Sequence, residues 1–108
     1  MPFIIETFDK PGHQHLRREA RAEHLAFLEA EAALLLACGA KLADDGSDAG
    51  GGLYVVDVET RAEAERFIAA DPFAKVGLFE RVAIQRWRKA YLDGRSYLKP
   101  ESGPKPQA

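Results

Sequence analysis

The chain has 108 residues, of which 46% are hydrophobic and 30% charged; this is ordinary globular usage, sufficient for one core, and it excludes a disordered chain. Fifteen basic against seventeen acidic side chains give a formal net charge of −2, so no overall field draws in a phosphate backbone and nucleic acid is not expected as a partner. The longest apolar run, Ala32 to Cys38, falls far short of the ~20 residues that span a bilayer, and the start of the chain lacks a basic-then-apolar leader. With Cys38 as the only cysteine, neither an internal disulfide nor a cysteine-rich zinc site can form. The expectation is a cytoplasmic protein with no membrane partner.

Pro2 to Phe8 is β-prone through Phe3, Ile4, Ile5 and Phe8, and it stops at the turn formers Asp9-Lys10-Pro11-Gly12, which predicts a first strand. From His13 to Cys38 there is neither glycine nor proline, and Ala, Leu, Glu and Arg dominate up to Gly39, which predicts one long helix. Within it Arg21, His24, Leu28, Glu31 and Leu35 recur at intervals of three and four, setting His24 on or beside the face turned to a sheet. Cys38, among leucines, reads as a buried and inert thiol.

Lys41 to Ala43 predicts a brief second strand, and the Asp, Ser and Gly residues of 44–52 predict a flexible loop. Leu53 to Val58 is the third strand. Thr60 with Glu63 three residues on forms a capping box for a helix running to Ala70. Asp71-Pro72 ends that helix and opens a short one to Leu78, with Asp71 as its N-cap. Alternation over Arg81 to Trp87 gives the fourth strand, and Arg86, Arg88 and Lys89 beside Trp87 read as its solvated end.

The order is βαββαβ, an α+β ferredoxin-like domain with an antiparallel sheet over residues 1–90. Helices cover one sheet face; residues such as Phe3 or Tyr54 on the other would expose apolar surface that a second copy buries, so a homodimer is expected. Residues 91–108 form a C-terminal extension whose Tyr97 and Leu98 dock on the partner subunit.

Two side chains carry the chemistry, and each has a plain structural reading beside the functional one. His24 is either a hydrogen-bonded core residue or the proton-exchanging group of a site. Asp71 caps the helix that follows; if the fold returns it to the first helix, its carboxylate also fixes the imidazole tautomer and stabilises the imidazolium. Arg21, one turn before His24, either holds a substrate carboxylate or enolate through its paired donors or forms an ion pair with Glu23 or Asp71. Tyr54, Phe73 and Leu78 are candidate pocket walls, with core packing as their other reading. His13 and His15 do not share a helix face with His24 in a three-ligand pattern, so no metal is expected. The glycines of Gly50-Gly51-Gly52 lack the lysine of a phosphate loop.

Arg21-Ala22-Glu23-His24-Leu25 resembles the Arg-x-x-His-Leu motif of the YciI-like (YCII-related) family, and Asp71-Pro72-Phe73 followed by Gly77-Leu78 resembles its Asp-Pro-Phe segment. The resemblance covers about residues 2–90; after the first helix Gly39-Ala40-Lys41 stands where many relatives have a Gly-Pro element. It implies a dimeric α+β barrel-like assembly with His24 and Asp71 as a dyad in a pocket beside the sheet. It further implies cofactor-independent chemistry, proton transfer or elimination on a small cyclic or unsaturated acid. In that chemistry neutral His24 takes the proton, Asp71 orients it and Arg21 holds the anion. The alternative is a non-enzymatic small-ligand binder or accessory protein in which the dyad is structural.

Overall fold

The computed structural model describes residues 1–98. The elements are β1 (Phe3–Asp9), α1 (Gln14–Ala30), a 3-10 turn (Ala32–Leu34), β2 (Leu35–Leu42), β3 (Asp48–Val56), α2 (Arg61–Ala69), α3 (Pro72–Lys75) and β4 (Phe79–Arg86), then a small hairpin of β5 (Tyr91–Leu92) and β6 (Arg95–Ser96). The four long strands make one sheet in the order β2-β3-β1-β4, with every pairing antiparallel. This is the ferredoxin-like α+β arrangement.

Strand alternation decides what each face meets. Phe3 and Ile5 of β1 pair with Val56 and Tyr54 of β3, and all four pack with Ala64, Phe67 and Ile68 of α2 and with Phe27 and Leu28 of α1. Phe3 and Tyr54 therefore lie under the helices, not on the open face where they were expected. Because the side-chain period is two, the opposite face belongs to their neighbours Ile4, Glu6, Phe8, Leu53 and Val55. Leu53 is 41% exposed there, and the Phe8 ring is flanked by Lys41 Nζ at 3.6 Å and the Arg81 guanidinium at 3.9 Å.

The first helix is shorter than its composition predicts. It ends at Ala30, and Leu35 to Leu42 become an edge strand on β3. Length explains this: 17 residues already span about 25 Å at 1.5 Å each, the length of the strands they cover. A helix continued to Cys38 would overshoot the sheet and leave the β3 edge unpaired. Pairing thus overrides the helical propensity of Leu35-Leu36-Ala37-Cys38. The second strand is longer than the predicted Lys41 to Ala43, and β3 begins at Asp48, inside the predicted loop.

β3 passes close to β1 at its glycines. A Cβ on Gly51 would lie 2.0 Å from the Thr7 carbonyl oxygen, and its φ of 144° is open to glycine alone. Thr7, fully buried, accepts the Gly52 N–H at 2.9 Å. The capping box forms: Thr60 Oγ1 accepts from Glu63 N–H at 3.1 Å and Glu63 Oε1 accepts from Thr60 N–H at 3.0 Å.

The chain after β4 is more ordered than its composition predicts. Asp93 (φ 54°) and Gly94 (φ 77°) both adopt positive φ, the pattern of a tight type I′ hairpin turn, and Tyr97 N–H donates to Ala90 O at 2.7 Å. Tyr97 and Leu98, expected to dock, are 37% and 58% exposed in the single chain; the rest of the extension, 99–108, lies outside the described residues.

Candidate functional site

Asp71 is the centre of the site. The turn between α2 and α3 places it N-terminal to Pro72, where its side chain caps α3 by accepting Phe73 N–H at 2.9 Å. The same carboxylate faces α1 and β3. His24 Nδ1 lies 2.9 Å from Oδ1 and 3.0 Å from Oδ2, and Tyr54 Oη donates to Oδ2 at 2.7 Å. A fully buried aspartate thus collects three donors, the condition under which a carboxylate is retained in an interior. Both readings of Asp71 hold at once: it is a cap and the partner of His24.

A carboxylate only accepts, so the hydrogen of this contact sits on His24 Nδ1, and in the neutral ring Nε2 then carries the lone pair. Nε2 has no protein partner among the described residues. The ring is held on a second side as well: it stacks on Phe73 with centroids 3.9 Å apart and planes 14° from parallel. The His24 side chain keeps 12% of its surface exposed. One hydrogen bond and one stacking contact therefore hold the orientation of the ring, and His24 lines a cleft.

That cleft measures about 550 Å³ and lies between α1 and the helix side of β2 and β3. From α1 it receives Arg17, Arg18, Arg21, His24, Leu25 and Leu28; from the sheet, Cys38, Ala40, Leu42, Gly52 and Tyr54; Phe73 closes one end. Tyr54, Phe73 and Arg21 stand in its wall. Leu78 does not: it is fully buried with Ala20 and Phe73, because the turn after α3 directs it into the core. Arg21 makes no ion pair with Glu23 or Asp71 among the described residues; the ion-paired arginine is Arg17, which forks onto Asp9 at 2.8 and 3.0 Å and lies 4.6 Å above the Phe73 ring. Glu31 and Leu35, grouped with His24 by spacing, lie beyond α1.

Cys38 also differs from expectation. It pairs with Tyr54 across β2 and β3, which turns its side chain to the helix side, and it is exposed along the cleft. Partial desolvation of the thiol by the cleft walls, then the negative charge of Asp71, raises its pKa, keeping it a protonated, weak nucleophile near neutrality. Arg17, Arg18 and Cys38 are among the cleft residues that sequence reasoning missed. For Arg18 a signal existed, since Arg18, Arg21, Leu25 and Leu28 follow helical spacing; for Cys38 it did not, because its face depends on β2 being a strand.

Tyr54 is held as a neutral phenol: burial first, then the charge of Asp71 and the hydrogen bond donated to it, push its pKa far above the ordinary value. The folded state therefore prefers the protonated phenol, and that stability is present below the unfolded pKa of about 10 and lost as pH rises beyond it. Urea midpoints are expected to fall between about pH 9 and pH 11, and to fall less in Tyr54→Phe. Equal alkaline losses in the two proteins would contradict the Tyr54 assignment.

Among the described residues no cluster of three or more His, Cys, Asp or Glu side chains is arranged to hold a metal. His13 and His15 stack on each other at 5.9 Å, and His13 Nδ1 bonds Pro11 O. No described helix is long and apolar enough to cross a membrane.

The fold and the site define an α+β ferredoxin-like protein with a histidine and an aspartate paired at the edge of a cleft. The chain belongs to the YCII-related domain family, which matches residues 1–88. The protein YciI of Escherichia coli O6:H1 is 28% identical over 98 residues, covering 84% of this chain and all of YciI, and the YciI of Shigella flexneri matches equally. Among solved structures, 5-chloro-2-hydroxyhydroquinone dehydrochlorinase from Burkholderia phenoliruptrix, in complex with 2,5-dihydroxybenzoquinone, is 34% identical with a TM-score of 0.74, covering 82% of this chain and 94% of the other.

Proposed function

We propose that this protein is a cofactor-independent enzyme that moves a proton, or drives elimination of a small leaving group, on a small cyclic or unsaturated acid. The observation that carries this reading is the His24 ring, tied by Nδ1 to buried Asp71, stacked on Phe73 and lining the cleft, with no partner for Nε2 among the described residues. Nε2 takes the acidic proton of the substrate. The electron pair of the broken bond enters the ring and, in an elimination, a leaving group such as chloride departs with its own bonding pair. Asp71 stabilises the imidazolium that forms, and the proton then passes to the departing group or to water. Tyr54 keeps Asp71 in place, and Arg21 faces the anionic part of the substrate. The dehydrochlorinase activity of the similar Burkholderia protein supports elimination over simple isomerisation.

Two features of setting belong to the same proposal. The open sheet face, with Ile4, Leu53 and Val55, pairs with a second copy to form a dimeric barrel-like assembly, and a lone cysteine suits a reducing cytoplasm. One observation favours a non-enzymatic ligand binder instead: Asp71 has a full structural role as the α3 cap, so the His24 contact needs no catalytic purpose. Chloride release from chlorinated hydroxyhydroquinones, and deuterium uptake by their unchlorinated analogues in heavy water, separate the two. Turnover by either assay supports the enzyme; saturable binding with neither reaction supports the binder.

A further inference from the structure

The cleft is chemically polarised along α1. In the first half of α1 stand three arginines, Arg17, Arg18 and Arg21, with Arg17 and Arg21 four apart and Arg18 and Arg21 three apart, so that they share a face. The helix has no acidic residue in its first turn, and the side chain of its N-cap His13 makes no capping hydrogen bond. Like charges at this end weaken a helix. Arg17 is neutralised by Asp9 and, at 3.9 Å, by Asp48; Arg18 and Arg21 are exposed and take part in no ion pair among the described residues. Both line the cleft, and at its other end the same helix presents Leu25 and Leu28. A local arrangement that costs helix stability without internal compensation is what a binding site for an external anion requires.

We infer that Arg18 and Arg21 form a two-point anion clamp that fixes the direction in which a substrate enters. The carboxylate or enolate oxygen lies toward the N-terminal half of α1, the reacting carbon at His24, and the apolar edge of the ring against Leu25 and Leu28. Helix rise supplies the scale: Arg21 lies about 4.5 Å and Arg18 about 9 Å along the axis from His24. Guanidinium groups bending toward one oxyanion over that span hold it about one ring width from the reacting carbon. The preferred class is therefore a single-ring compound whose anionic group and acidic C–H, or leaving group, stand at opposite ends of the ring. Arg18 and Arg21 act as specificity-determining residues. The inference rests on the catalytic reading for the role of His24, but the clamp itself does not need that reading.

The test uses pairs of ring compounds of equal shape, one anionic and one neutral, such as 4-hydroxybenzoate and 4-hydroxybenzamide, with affinities measured by calorimetry and by shifts of the arginine Nε–H resonances. Wild type is expected to bind anionic members at least tenfold more tightly, a preference that weakens with salt. Arg18→Gln with Arg21→Gln abolishes the preference while leaving the melting temperature unchanged or raised, since repulsion at the helix start is relieved. His24→Ala keeps the preference even where turnover is lost, so failure of the clamp and failure of the dyad are told apart. Equal affinity for charged and neutral partners, a preference surviving the double substitution, or no saturable arginine shift with any anion would each overturn the inference.

Discussion

Replacing Asp71 by leucine is expected to cost the fold about 3–5 kcal/mol, read as a lowered urea midpoint at constant slope. The carboxylate is the sole acceptor shown for three groups in a closed site: His24 Nδ1–H, Tyr54 O–H and Phe73 N–H. Stranding buried donors costs about 1–3 kcal/mol each, and the Phe73 N–H among them is the α3 cap, worth about 1 kcal/mol by itself. Relaxation of the turn and water entry recover part of that sum. Against a total stability of about 5–15 kcal/mol for a domain, the variant folds marginally. Asp71→Asn is expected to behave differently. Its amide oxygen still accepts Phe73 N–H, and Tyr54 Oη can reverse to accept from the amide nitrogen. That nitrogen now donates to His24 Nδ1, which places the ring hydrogen on Nε2 and removes the base. Near-native stability with abolished turnover is the expected pair of results. A stable Asp71→Leu would show that the three donors are not closed off from water.

The second large effect concerns His24. Substitution by alanine is expected to reduce turnover by about 10²- to 10⁴-fold, the range associated with a positioned general acid or base, with little change in KM for a substrate held by the arginines. Loss of the stacking contact on Phe73 and of the bond to Asp71 lowers stability as well, because a buried carboxylate loses one donor. The substitution leaves a cavity beside Asp71 into which water can enter, which limits that loss. His24→Ala is therefore expected to fold, and measuring its circular dichroism beside turnover separates chemistry from structure. Unchanged turnover in the folded variant would remove His24 from the mechanism.

The features legible in the sequence are those written in local chemistry. The Asp71-Pro72 boundary, the Thr60 and Glu63 capping box, the β-prone run of β1 with the turn formers after it, and the alternation of β4 each depend on neighbours within a few residues, and the structure places them within one or two positions of expectation. Recognition of the family followed from two short motifs set in the right order. What stayed hidden depends on distant partners. Leu35 to Leu42 has a helix-like start, and only the unpaired edge of β3 makes it a strand; with that strand came the exposure of Cys38 along the cleft. Tyr54 was placed in a strand but on the open face, and its pairing with Ile5 sets it under the helices instead. The bond from Tyr54 to Asp71 spans two elements and leaves no local pattern. Leu78 shows the opposite limit: it lies close to Asp71 in sequence, yet one turn of backbone carries it into the core.

The most direct test is the tautomer of His24, read by long-range proton–nitrogen correlation at a pH where the ring is neutral, before and after saturation with a small ring acid. The account predicts hydrogen on Nδ1 in the resting protein, hydrogen on Nε2 in Asp71→Asn, and a ligand-induced shift in the wild type concentrated on Nε2. Hydrogen on Nε2 in the wild type, or a ligand that perturbs residues away from the cleft and leaves His24 unmoved, would contradict it.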